Sequence, residues 1–126
     1  MTKEMKVEEL SPLSRKVDAI VKVVSKGEVR NVEVGGKPHR VADVLVGDET
    51  GSIYLALWDG DINKVDAGNT IRIVDGYVNL FRGMMRLNIG RYGRFEVIDI
   101  SPIGEVNTEN NLSLKFYKKE GRHKML

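Results

Sequence analysis

The chain contains no cysteine among its 126 residues. That excludes a disulfide framework, a thiolate zinc site and a cysteine nucleophile. Histidine is nearly as scarce: His39 and His123 are the only imidazoles, and the second lies in a polar C-terminal stretch, so neither a metal nor any other cofactor is expected. Asp59-Gly60-Asp61-Ile62-Asn63 imitates the start of a calcium loop, but Lys64 stands where that loop needs glycine and Thr70 where it needs glutamate. No phosphate-cradling glycine loop and no nucleophile with a neighbouring base are present, so the chain is expected not to be an enzyme. Asp48 and Glu49 are adjacent acids in a turn and are assigned to capping its backbone. No run approaches the roughly 20 apolar residues of a membrane span. Met1 to Glu9 is too charged for a secretory signal, which points to a cytoplasmic location with no membrane partner.

What is present is enough for one domain with a single core: 126 residues, 41% apolar and 30% charged. The net charge of +2 is small, but it is unevenly spread. Asp43 to Asp66 holds six acids and one base, whereas Gly76 to Arg94 holds four arginines and no acid. The second stretch is suited to meet anions.

Alternation at period two predicts strands over Arg15 to Val24, Val41 to Val46, Ser52 to Trp58, Thr70 to Val78 and Met84 to Ile89, the last resumed over Phe95 to Ile100. Ser25 to Pro38 is expected to be a long hairpin loop, Asp61 to Val65 a helical turn, and Gly76 a bulge where the buried parity changes between Ile73 and Val78. Residues 1-14 are a polar lead-in, 15-103 the domain, and 104-126 a mobile basic tail. Five strands with one short helical turn between the third and fourth predict an all-β fold, a five-stranded Greek-key barrel in the order of the oligonucleotide-binding (OB) fold; an open sandwich would have too few strands.

On the cleanest strand, Ile53, Leu55 and Leu57 face inward, which places Tyr54 and Trp58 on the outer face. Trp58, outward by parity, and Tyr77 and Phe81, which bracket the connection into an arginine-bearing strand, are candidate stacking platforms, against the competing assignment of three rings packed in or over the core. Arg82, Arg86, Asn88 and Arg91 follow those rings closely, and guanidinium groups interleaved with aromatics make a groove for a single nucleic-acid strand. Lys26, Arg30, Lys37 and Arg40 on the first hairpin would form its second wall.

The segments Val46-Gly47-Asp48-Glu49-Thr50-Gly51-Ser52-Ile53, Leu57-Trp58, Ile71-Arg72-Ile73, Gly76-Tyr77, Phe81-Arg82-Gly83 and Leu87-Asn88-Ile89-Gly90 resemble archaeal single-stranded-DNA-binding proteins and the barrels of archaeal replication protein A. They are also similar to the single-barrel subunit of the human SOSS complex. The resemblance runs from about Glu9 to Ile100. It implies single-stranded DNA as partner and base stacking at Trp58, Tyr77 and Phe81. It also implies a role in replication, recombination or repair, with proteins of those assemblies as further partners. An RNA-binding barrel and a protein-interaction barrel are the alternatives.

Overall fold

The computed structural model describes residues 4–117. Its strands are Val17–Lys26 (β1), Arg30–Val34 (β2), Lys37–Asp48 (β3), Gly51–Trp58 (β4), Thr70–Phe81 (β5), Met84–Asn88 (β6) and Arg94–Ile98 (β7). Short 3-10 turns cover Val7–Glu9, Asp59–Lys64 and Leu112–Leu114. Hydrogen-bonded pairing runs β1-β3-β4-β6-β5 and β5 returns to β1, so the ring closes and none of these five strands presents a free edge. Only the β4–β6 pairing, Leu55 with Leu87 and Ala56 with Asn88, is parallel. This is the OB fold, with β2 extending β3 and β7 extending β5.

Alternation explains the interior. Val17, Ala19, Val21 and Val23 of β1, Val44 and Val46 of β3, Ile53, Leu55 and Leu57 of β4, and Met85 and Leu87 of β6 are all buried. In β5 the buried set changes from Ile71 and Ile73 to Val78. The register explains it: Val17 pairs with Gly76 and Ala19 with Ile73, so β5 carries one more residue than β1 across this interval. The bulge thus lies at Gly76 and the two residues before it, and the one that turns left-handed is Asp75, at φ 61°. Gly76 is needed for close approach instead, because a Cβ there would stand 2.8 Å from the Asn88 carbonyl oxygen.

Three expectations are corrected. The long loop over Ser25 to Pro38 is largely a hairpin of β2 and the start of β3, turned by Gly35 and Gly36 at φ 61° and 80°. Its residues are mostly exposed on both faces, so no buried pattern marked it. The lead-in is part of the core: Val7 and Leu10 are buried, and the buried carboxylate of Asp48 accepts the Val7 amide at 3.0 Å. The same carboxylate caps its own turn as expected, accepting the Thr50 amide at 2.9 Å and the Thr50 hydroxyl at 2.6 Å.

The third correction concerns the tail. From Asn107 to Tyr117 it is docked on the ring: Asn107 and Asn110 bond backbone to backbone with Asp48 and Ser52, and Tyr117 donates to the Gly83 carbonyl at 2.7 Å. Buried Ser113 donates to the Met85 carbonyl at 2.6 Å and accepts the Tyr54 amide at 2.9 Å. This strap covers Ser52, on the same face of β4 as Tyr54, and leaves it fully buried. The basic residues Lys118, Lys119, Arg122 and Lys124 lie outside the described residues.

Candidate nucleic-acid interface

Trp58 ends β4, opposite Val41, and is 40% exposed. Asp59 follows at φ 51° and breaks the strand into the 3-10 turn. The Asp59 carboxylate accepts the Arg40 amide at 3.0 Å and lies 2.8 Å from His39 Nδ1, while the His39 ring meets the indole edge-on at 6.2 Å. These contacts brace the base of the indole from one side. The Arg40 amide, and next the His39 ring, hold the Asp59 carboxyl below the usual aspartate range.

Phe81 ends β5 and leads into a two-residue turn, Arg82 at φ 54° and Gly83 at φ 85°, the left-handed pair that a tight hairpin requires. Its ring, 45% exposed, has the Arg82 guanidinium 5.3 Å from its centroid and that of Arg86 5.6 Å away. Arg86 also sits 5.2 Å from the Tyr54 ring. Its Nε lies 3.6 Å from an Asp43 carboxylate oxygen, and Arg30 reaches the other oxygen at 3.4 Å. With only 13% of its side chain exposed, Arg86 is a clamp between two rings rather than an open phosphate ligand; Arg82 and Arg30 are the accessible cations here.

Tyr77, 38% exposed, stands on β5 with its ring over Gly90, where an added Cβ would come within 2.8 Å of Tyr77 Cε1. Gly90 is left-handed at φ 80°, so both its backbone and its lack of a side chain seat the tyrosine. Asn88 is buried between the rings, donating to the Asn79 side chain at 3.0 Å and to the Arg86 carbonyl at 3.2 Å.

These side chains share one surface. A cleft of about 410 Å³ opens between β2 and the β5–β6 hairpin, walled by Arg30, Trp58, Phe81, Arg82 and Arg86. A smaller one of about 190 Å³ lies between Trp58 and Tyr77, with Asn88 common to both. On the other flank, Tyr54, Arg30, Asp43 and Arg86 line a third opening of about 430 Å³. Lys26, Lys37 and Arg40 line none of these three, and Arg91 belongs to a cleft farther on, beyond Tyr77. Val32, Val34 and Asp43 also line the main cleft without a signal in the sequence, because β2 has no buried face to mark it and Asp43 belongs to an acidic stretch. Among the described residues no group of three His, Asp or Glu side chains is placed to hold a metal ion, and no helix is long and apolar enough to cross a membrane.

Residues 10–97 match the family described as single-stranded DNA binding protein Ssb-like, OB fold. The single-stranded DNA binding protein Ssb of Saccharolobus solfataricus is 30% identical over 87 residues, which are 69% of this chain and 59% of that protein, so the match spans less than two thirds of that relative. Among solved structures, a hypothetical protein from Arabidopsis thaliana, 27% identical, superposes with a TM-score of 0.78 over 94% of this chain and 88% of that one. The second OB-fold domain of replication protein A from Methanococcus maripaludis shares the fold at 21% identity, with a TM-score of 0.64 over 79% of this chain and 98% of that domain.

Proposed function

The chain belongs to the Ssb-like OB-fold family of single-stranded DNA binding proteins, and on that premise we propose that it binds single-stranded DNA by stacking bases on Trp58, Tyr77 and Phe81, without catalysis and largely without regard to sequence. The observation that carries this reading is the exposure of all three rings, 38% to 45%, along adjoining clefts on one outer surface of the ring of strands. Apolar rings left in water forgo burial, and their flat faces accept any base, at about 1 to 3 kcal/mol each. Arg82 and Arg30 supply accessible positive charge for phosphates, while Arg86, held by Asp43, keeps the Tyr54 and Phe81 rings in place. Lys26, Lys37, Arg40 and Arg91 add charge around this track. The proposed role is in replication, recombination or repair.

Trp58 is the only tryptophan, so its emission reports on the site alone. Titration with oligo-dT is expected to quench it to saturation. An oligo-rU titration of equal strength would favour the RNA-binding alternative; no change with either, and a response to a protein partner instead, would favour the protein-interaction alternative.

A further inference from the structure

A further cleft, of about 570 Å³, adjoins the site described above and lies between the lead-in around Leu13 to Lys16 and the turn that joins β6 to β7. It is continuous with the stacking track, because Tyr77 and Gly90 line both this cleft and the one beside Trp58. Tyr92 stands at its rim 79% exposed, and the Arg91 guanidinium sits 5.6 Å from the Tyr92 ring centroid. Arg15, Lys16 and Arg91 line it against a single acid, Asp75. None of the three cations is in an ion pair among the described residues. The lead-in wall is fixed to the ring, since the Val78 amide donates to the Ser14 carbonyl at 3.0 Å and Ser11 and Ser14 close a turn on each other. An exposed ring with a guanidinium beside it and unpaired cations around it repeats the chemistry of the Phe81 and Arg82 site.

We propose that a bound single strand of DNA continues past Tyr77 into this cleft, where Tyr92 receives a further base and Arg15, Lys16 and Arg91 meet its phosphates. The proposal rests on the reading of Trp58, Tyr77 and Phe81 as the primary track and extends it by a second segment built from the lead-in and the β6–β7 turn. It makes affinity depend on strand length, since a short oligonucleotide fills the primary track alone.

The test measures anisotropy of end-labelled oligo-dT from about 4 to about 16 nucleotides, the span of site sizes for one OB fold. The proteins compared are the full chain, Tyr92→Ala, the pair Arg15→Ala with Lys16→Ala, and Trp58→Ala. These side chains are exposed, so the variants are expected to fold. Tyr92→Ala and the paired variant are expected to lose about five-fold or more in affinity for the longest strands and little for the shortest, while Trp58→Ala weakens binding at every length. Wild-type affinity of the Tyr92 and paired variants at every length, with Trp58→Ala still weakened, overturns the proposal and leaves the primary track standing. An equal loss at every length would place Tyr92 within the primary track and overturn it as well. A harmless Trp58→Ala would remove the primary reading and this extension with it.

Discussion

Ser113→Ala probes the strap that closes over the strands beneath the candidate site. The Ser113 hydroxyl is buried and serves two backbone groups, donating to the Met85 carbonyl and accepting the Tyr54 amide. Alanine preserves the volume of the site and deletes both bonds. The Met85 carbonyl keeps a donor in Arg86 Nη1 at 3.2 Å, so its loss is that of one ordinary hydrogen bond, about 1 kcal/mol. The Tyr54 amide loses its partner under the strap, a penalty of about 1 to 3 kcal/mol. The expected destabilisation is therefore about 2 to 4 kcal/mol, read from urea unfolding as a lower midpoint at unchanged slope. Oligo-dT affinity extrapolated to the folded protein should change little, because Trp58 and Tyr77 have other supports. A destabilisation below about 0.5 kcal/mol, within the range of an ordinary surface substitution, would mean that residues 107–117 do not hold the strands in solution.

Arg82→Ala and Arg86→Ala should differ in kind. The first, removing an exposed cation, should lower the log-log salt slope of oligo-dT binding by about 0.7 if one phosphate contact is lost; the second should weaken binding at all salt concentrations with less change of slope, and identical slopes and affinities for the two variants would contradict the clamp role of Arg86. Gly90→Ala places a side chain at φ 80° against the Tyr77 ring. It should cost about 1 to 2 kcal/mol in stability and weaken oligo-dT binding in a titration, and unchanged values of both would show that the tyrosine is not seated there. Asp59, with its carboxyl held down by the Arg40 amide and His39, should titrate below its ordinary 3.8 when followed by NMR. Because the folded value is the lower one, its contribution to stability is present above the unfolded value and is lost as pH falls through the folded value; a midpoint at or above 3.8 would contradict the bracing of Trp58 by this turn.

Much of this architecture is legible in the sequence because a strand with one buried face repeats its constraint every second residue. Ile53, Leu55 and Leu57 reveal β4 and, by parity, the outward position of Trp58. The change of buried parity in β5 is equally visible, but the choice of Asp75 as the left-handed residue is not, since aspartate tolerates that conformation and the neighbouring glycine is consumed by the close approach of Asn88. Strand β2 is hidden because most of its residues face solvent. Val7, Leu10, Leu112 and Ser113 are hidden for a different reason: each packs singly from an irregular segment, without a period to announce it. Parity sent Arg86 outward, but only the fold brings Asp43, Tyr54 and Phe81 around it. The cleft at Tyr92 is assembled from residues near both ends of the domain, and no local pattern in the chain joins them.

The most direct test of single-strand binding by base stacking is the affinity of Trp58→Ala for a labelled oligo-dT, measured by anisotropy beside its melting temperature. A weakening of about 5- to 150-fold, the equivalent of about 1 to 3 kcal/mol, is predicted, with a melting temperature shifted by less than about 4 °C. Wild-type affinity together with a large fall in melting temperature would contradict the account and make Trp58 a packing residue of the fold.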